Sequence, residues 1–320
     1  MRAIRVSQFG GPEVLRLEEV PTPTPAAGQL LVHVRAAGVN PYEAAQRAGT
    51  YAIKPQLPYT PGSDAAGVVE SVGPGVTKVK PGDRVYTART LSGAYAEYTL
   101  ALADQVRPLP DNIDFAQGAG IWVPYAAAYH ALFHAAQAHA SETVLIHGAS
   151  GGVGTAALQI ARAMGLEIFG TAGTEPGLEL IKREGANHAF SHTKAGYEDE
   201  ILKATGGKGV DIILEMLANV NLAKDLKLLA INGRIIVIGN RGETTINPRE
   251  LMMKRGSIRA FTLWALTEQE TKEIYAGLNA GLSAGILHPV VAEEIPLAEA
   301  ARAHKEILEP GSAGKIVLIP

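Results

Sequence analysis

Residues 147–154 read HGASGGVG, set between the apolar run TVLI at 143–146 and the stretch TAALQIARAMG, a good helix former that Gly165 ends. Four glycines between a strand-like and a helix-like segment specify a tight strand-to-helix turn. They let the backbone come close to an anion, and the free N–H groups and positive dipole end of the helix then hold it. Glycines alone would indicate only a helix packed closely on a sheet. What gives the motif weight is the pattern around it. A helical segment at 124–139 leads in, and strand-like segments follow at 167 (EIFGTAG), 188 (HAFSH), 210–217 (VDIILEML), 233–239 (GRIIVIG) and 257–263 (SIRAFTL). Helix formers lie between them, EPGLELIKREG at 175, YEDEILKATGG at 197 and NLAKDLKLLA at 221, where Asn221 is suited to capping the helix. Six strands alternating with helices predict an α/β fold: a doubly wound parallel sheet of the Rossmann type, binding a dinucleotide.

The first 123 residues have a different texture. Short strand-like runs begin at Ala3, Leu30, Ala65 and Asp83, punctuated by turns such as Pro61-Gly62 and Pro81-Gly82, and predict a β-barrel-like unit. Two helical segments, Thr267–Leu282 and Leu297–Leu308, precede a last strand, KIVLIP, expected to return to that unit. The expected domains are therefore 1–123 with 265–320, and 124–264.

Composition excludes several kinds of chemistry. The chain has no cysteine, so disulfides, thiolate nucleophiles, iron–sulfur clusters and cysteine-ligated zinc are all unavailable. Nine scattered histidines form no HExxH pattern, and no metal site is expected. A net charge of −3 provides no basic field for nucleic acid. Without a long apolar run, no membrane partner is expected, and the cytoplasm is the expected compartment.

The second strand of the sheet ends TAGT, at 171–174. Enzymes that take NAD commonly place an acid near this point for the ribose 2′-hydroxyl. Ala172, Gly173 and Thr174 instead leave room and a hydroxyl for a 2′-phosphate, which points to NADPH. Glu175 fits as a first-turn helix carboxylate facing solvent.

The segments GGPEVL (10–15), GVNP (38–41), LPYTPGSDAAGV (57–68), GDRV (82–85), HGASGGVG, GTAGTE, EMLANVNL (215–222) and INPRE (246–250) span nearly the whole chain. With them the chain resembles the zinc-free, zeta-crystallin-type quinone oxidoreductases of the medium-chain dehydrogenase/reductase superfamily. The resemblance implies a GroES-like catalytic domain beside the Rossmann domain and a homodimer or homotetramer. It also implies NADPH-dependent reduction of a quinone to a semiquinone by net one-electron chemistry, with a quinone or another electrophilic small molecule as the acceptor. Zinc relatives ligate their metal with a Cys and a Gly-His-Glu segment. Asn40 stands at the Cys position here, with Ser63 and Asp64 at the His-Glu positions.

By the same resemblance, Ser150, Gly151, Gly152, Val153 and Gly154 lie on the pyrophosphate. Gly173, Thr174 and His192 lie by the 2′-phosphate. Asn221, Ile238, Gly239, Asn240 and Arg241 contact the cofactor, and Phe261, Thr262 and Leu263 flank the nicotinamide. Asn40, Tyr51 and Ser63 are the candidates for the acceptor. Ala45 replaces a pocket Tyr of the relatives and Trp122 a small residue, so these two would reshape the pocket. An NADPH-dependent enal or enone reductase is the alternative activity, and an AU-rich RNA-binding or crystallin-like structural role the alternative of another class.

Overall fold

The computed structural model describes residues 1–311 and 313–320 in two compact units, Met1–Val123 with His288–Pro320, and Pro124–Leu287. In the first, β1 (Arg2–Arg5) pairs antiparallel with β2 (Arg16–Glu19). A larger sheet is built from β3 (Gln29–Gly38), β4 (Asp64–Val72), β5 (Arg84–Thr87), β6 (Tyr98–Leu102) and β7 (Val106–Pro108). Strands β3 and β4 run antiparallel with Gly38 opposite Asp64, so the residues just after β3 and just before β4 meet at one end of the sheet.

The second unit carries β8 (Thr143–Ile146), β9 (Glu167–Ala172), β10 (His188–Ser191), β11 (Val210–Glu215), β12 (Leu229–Val237) and β13 (Ser257–Ala260). They form one parallel sheet in the order β10-β9-β8-β11-β12-β13. The order reverses between β8 and β11, the topological switch point at which such sheets bind ligands beyond their strands' carboxyl ends. Val144, Leu145 and Ile146 are fully buried, as a central strand covered by helices on both faces requires.

The chain then returns to the first unit with β14 (Val291–Pro296) and β15 (Lys315–Ile319). Strand β15 lies between β14 and β3. The return begins at His288, so residues 265–287 belong to the second unit and not to the first, where they were expected. The reason is packing. The Glu268–Ser283 helix buries Ile274, Tyr275, Leu278 and Leu282, and its Gly277 lies against the Tyr129 ring.

Three local readings also change. The helix expected over 124–139 is regular only over Trp122–Tyr129, then widens into a π-helical turn, His130–Ala135, where the rings of Tyr129 and Phe133 lie 4.3 Å apart. Asn221 does not cap a helix, because that helix already starts at Ala218 and Asn221 falls within its first turns. The last strand of the sheet ends at Ala260, and Thr262 caps a short 3₁₀ turn, Leu263–Ala265, by accepting from Trp264 N.

Candidate active site

The glycine motif forms a tight strand-to-helix turn. Gly148 turns the chain with φ of +57°, Ala149 N donates to Thr171 O at 2.8 Å, and the Gly152–Ala163 helix begins from Gly151. Gly154 sets how closely this helix lies on the turn. A Cβ there would sit 2.5 Å from both Ala149 Cα and Gly148 O. The first-turn N–H groups of the helix have no intrahelical acceptor, which suits them to an anion. Ser150, within the turn, is buried.

The other residues assigned to the cofactor, Asn221 apart, follow directly on the carboxyl ends of strands. Gly173 and Thr174 follow β9, and Thr174 caps the Glu175–Glu184 helix by accepting from Gly177 N, leaving Glu175 in solvent. His192 follows β10 and lies over Gly173, its Nε2 2.8 Å from where a Cβ of Gly173 would be. Partial burial, then His147 and Lys224, lower the pKa of His192. Ile238, Gly239, Asn240 and Arg241 follow β12, where Asn240 Nδ2 donates to Gly242 O at 2.7 Å and Arg241 N donates to Asn219 Oδ1 at 3.0 Å. Phe261, Thr262 and Leu263 follow β13, and the Phe261 ring lies 4.2 Å from that of His130.

Asn221 Nδ2 donates to Glu215 Oε1 at 3.3 Å, and Leu217 N donates to the same oxygen. Glu215 also belongs to a buried group with His147 and Asp225, in which His147 Nε2 lies 2.8 Å from Asp225 Oδ1. Burial lowers the His147 pKa, but Asp225 and Glu215 outweigh it and the net direction is up. The 2.8 Å separation is that of a hydrogen bond, so the group reads as a buried ion-paired network at the start of the glycine turn.

In the first unit the chain brings together Asn40, Glu43, Ser63, Asp64 and Lys315, all buried. Asn40 starts the Pro41–Ala48 helix, and Glu43 reaches back to Asn40 N at 2.8 Å, one half of a capping box. The Asn40 side chain turns the other way, donating to Asp64 Oδ2 at 3.0 Å while its Oδ1 accepts from Lys315 Nζ. Lys315 Nζ also lies 3.4 Å from Asp64 Oδ2. Glu43 further accepts from Ser63 N at 3.1 Å and from Tyr95 OH at 2.9 Å. Burial, then the nearby charge of Asp64, raises its pKa.

Two rings border this cluster. Tyr42 OH donates to Ser63 Oγ at 2.7 Å, and the Tyr42 ring lies 5.6 Å from that of Tyr51, which is half-buried. Ala45 is half-buried on the same helix, and Trp122 is buried. Tyr42, Glu43 and Lys315 are absent from the sequence-based candidates. The Asn-x-x-Glu spacing of a capping box and a lysine heading an apolar strand were the available signals.

The positions that hold zinc in metal-dependent relatives do not fit a metal here. An amide and a hydroxyl replace the soft and imidazole ligands, and the Lys315 side chain already engages both Asn40 and Asp64.

A β unit carrying this cluster, followed in the chain by a Rossmann sheet with a glycine cradle, defines a medium-chain dehydrogenase/reductase. Family models agree, an alcohol dehydrogenase GroES-like domain matching residues 26–111 and a zinc-binding dehydrogenase matching 152–278. The chain belongs to the quinone oxidoreductase family within that superfamily. It is 53% identical over 321 residues to the quinone oxidoreductase of Homo sapiens, covering 100% of this chain and 98% of that one. Among solved structures it resembles the Escherichia coli quinone oxidoreductase complexed with NADPH, with 31% identity, a TM-score of 0.90 and full coverage of both chains. It also resembles an NAD-dependent alcohol dehydrogenase, with 29% identity, a TM-score of 0.92 and full coverage of both.

Proposed function

We propose that this protein is an NADPH-dependent quinone reductase that works without zinc. The observation that carries the reading is the Lys315 side chain on Asn40 and Asp64, at the place where zinc relatives hold their metal. With no Lewis acid to stabilise an alkoxide, alcohol oxidation by that route is disfavoured. An acceptor that is already electrophilic needs no such help, and a quinone is one, in keeping with the relatives' names. When bound, NADPH supplies the hydride.

The residues of this chain bind and orient. The Ser150–Gly154 turn would hold the pyrophosphate, and Gly173, Thr174 and His192 the 2′-phosphate. Asn221, Ile238, Gly239, Asn240 and Arg241 would line the cofactor, and Phe261, Thr262 and Leu263 would flank the nicotinamide. Asn40, Tyr51 and Ser63 would face the acceptor, with Ala45 and Trp122 shaping its surroundings. We place the enzyme in the cytoplasm as a homodimer or homotetramer. Support for self-association comes from β13, an edge strand of its sheet, and from Met252 and Met253, exposed on the helix before it. No helix among the described residues is long and apolar enough to cross a membrane.

The direct test follows NADPH absorbance with a quinone, with an enone and with no acceptor, each with and without a chelator. Quinone-dependent oxidation that the chelator leaves unchanged is the expected result. Oxidation with the enone alone, or loss of activity to the chelator, would overturn the reading.

His192 gives this reading a pH signature. Its pKa lies below the usual histidine range without cofactor, and a 2′-phosphate favours the protonated ring. Binding NADPH then takes up a proton, so NADPH should bind more tightly as pH falls from about 8 to about 6.5, near the ordinary histidine pKa. NADH, lacking the phosphate, should bind equally at both. His192→Ala should flatten the NADPH curve and cost about tenfold in NADPH affinity, the loss of one charge-assisted bond of roughly 1.5 kcal/mol. Fluorescence titration of both cofactors across this range checks it, and parallel curves in the wild type would contradict it.

A further inference from the structure

The π-helical turn of the second unit brings three segments of chain onto one imidazole. His130 is buried, its Nε2 lies 3.1 Å from Glu270 Oε1 on the Glu268–Ser283 helix, and its ring lies 4.2 Å from that of Phe261, with the ring planes 33° apart. Phe261 is one of the residues assigned above to the nicotinamide. We propose that His130, held by Glu270, is a positioning residue that fixes the Phe261 ring and, through it, the face from which the nicotinamide gives up its hydrogen. This deepens the cofactor site proposed above and rests on that reading.

Glu270 is a fixed acceptor. In the capping box of its helix it accepts through Oε2 from Thr267 N and Thr267 Oγ1, each at 2.8 Å, which leaves Oε1 for His130. The bonds from Thr267 hold its pKa down to about 2, so it is a carboxylate throughout the neutral range. A carboxylate only accepts, and this assigns the His130 proton to Nε2. Nδ1 is buried and has no hydrogen-bond partner among the described residues, so a second proton there would be an unpaired buried donor. Burial lowers the His130 pKa, with Glu270 opposing the fall and His134 adding to it, and the ring is neutral near pH 7.

The turn itself is unusual, and single π turns inside helices are frequent at functional sites. Ala136 N donates to Ala131 O at 2.8 Å, five residues back, and the widened turn sets the His134 ring 5.2 Å from that of His130. The imidazole is thus confined by Glu270 at one nitrogen, by His134 beside it and by Phe261 in front. A ring held in this way is a rigid stop. Phe261 follows directly on β13, is only half-buried, and has two side-chain torsions free to choose among rotamers. Without the stop its ring can swing, and a nicotinamide that it flanks gains room to present its other face. Reacting atoms tolerate little of this, since a misplacement of about 1 Å costs on the order of 100-fold in rate.

The test supplies the whole protein with a quinone and with NADPH deuterated on one face of C4, and asks which hydrogen is lost. The wild type is expected to remove the hydrogen of one face only. His130→Ala should lower kcat roughly tenfold, with the quinone KM and the NADPH Kd little changed, and should remove part of the other hydrogen. Glu270→Gln keeps the cap, since Gln also serves there, but turns an amide toward His130. It should act in the same direction more weakly and add nothing in the double variant, because it works through His130. Thermal unfolding checks the variants, and His130→Gln, which keeps a donor for Glu270 but no ring, replaces His130→Ala if the latter does not fold. A folded His130 variant that is less stable but keeps its kcat and its single face would overturn the proposal. Phe261→Leu separates the two readings. If it loses face selection and the His130 variant does not, the nicotinamide site stands and the role of His130 falls. If neither variant moves kcat, Kd or face selection, the nicotinamide lies elsewhere and both fall.

Discussion

Replacing Lys315 with methionine is expected to destabilise the protein by about 3–5 kcal/mol, the usual loss when one partner of a buried ion pair is removed. Lys315 and Asp64 are both almost fully buried, at 5% and 1% side-chain exposure. Without the lysine, Asp64 would share its burial with Glu43 and no cation on either. Asp64 already has a pKa raised by burial, with Lys315 opposing that rise. A carboxyl whose folded pKa is raised destabilises the fold once pH exceeds its unfolded value, so the Lys315→Met loss should be largest near neutrality and shrink as pH falls toward about 4. Adding Asp64→Asn should recover much of the stability at neutral pH. Urea unfolding of both variants at two pH values measures this. An effect below about 1 kcal/mol, typical of exposed pairs, would mean that the pair is solvated.

Gly154→Val should abolish useful cofactor binding. The added Cβ would meet backbone atoms of Gly148 and Ala149, which cannot move aside as a side chain can, so the helix must retreat from the turn. Retreat would carry the first-turn N–H groups away from the pyrophosphate site proposed above. Two lost charge-assisted bonds at roughly 1.5 kcal/mol each amount to about a 100-fold weaker Kd. Overpacking should cost a further 1–3 kcal/mol or so in stability. Fluorescence titration with NADPH gives the affinity. A variant that binds within a few-fold of the wild type would show that the close approach of helix and turn is unnecessary.

What could be read from sequence followed from local rules. The Rossmann sheet was legible because each strand carries its own apolar run and each turn its own glycines, and the residues assigned to the cofactor follow strand ends that the pattern locates. The misreadings share one cause, that tertiary contacts decide where an element stops. The Glu268–Ser283 helix has a capping box at Thr267 and Glu270 visible in its sequence, yet its allegiance is set by Tyr129 and His130, about 140 residues away. Asn221 looked like a cap because the sequence does not reveal that Glu215 already holds Leu217 N. The polar cluster was half legible. Asn40 and Ser63 stood out as replaced ligands, whereas nothing in the run KIVLIP singles out Lys315, and only the insertion of β15 beside β3 brings it to Asn40.

That insertion has a consequence for synthesis. The residues that Lys315 neutralises emerge from the ribosome roughly 250 positions before it does, with a complete Rossmann unit made in between. Until β15 arrives, Asp64 and Glu43 lack the cation that makes their burial tolerable, and β3 lacks the neighbour on its β15 side. The second unit, contiguous in sequence, is free to close while the chain is still growing. The usual order of domain folding along a nascent chain is therefore inverted here, and the part made first is the part completed last.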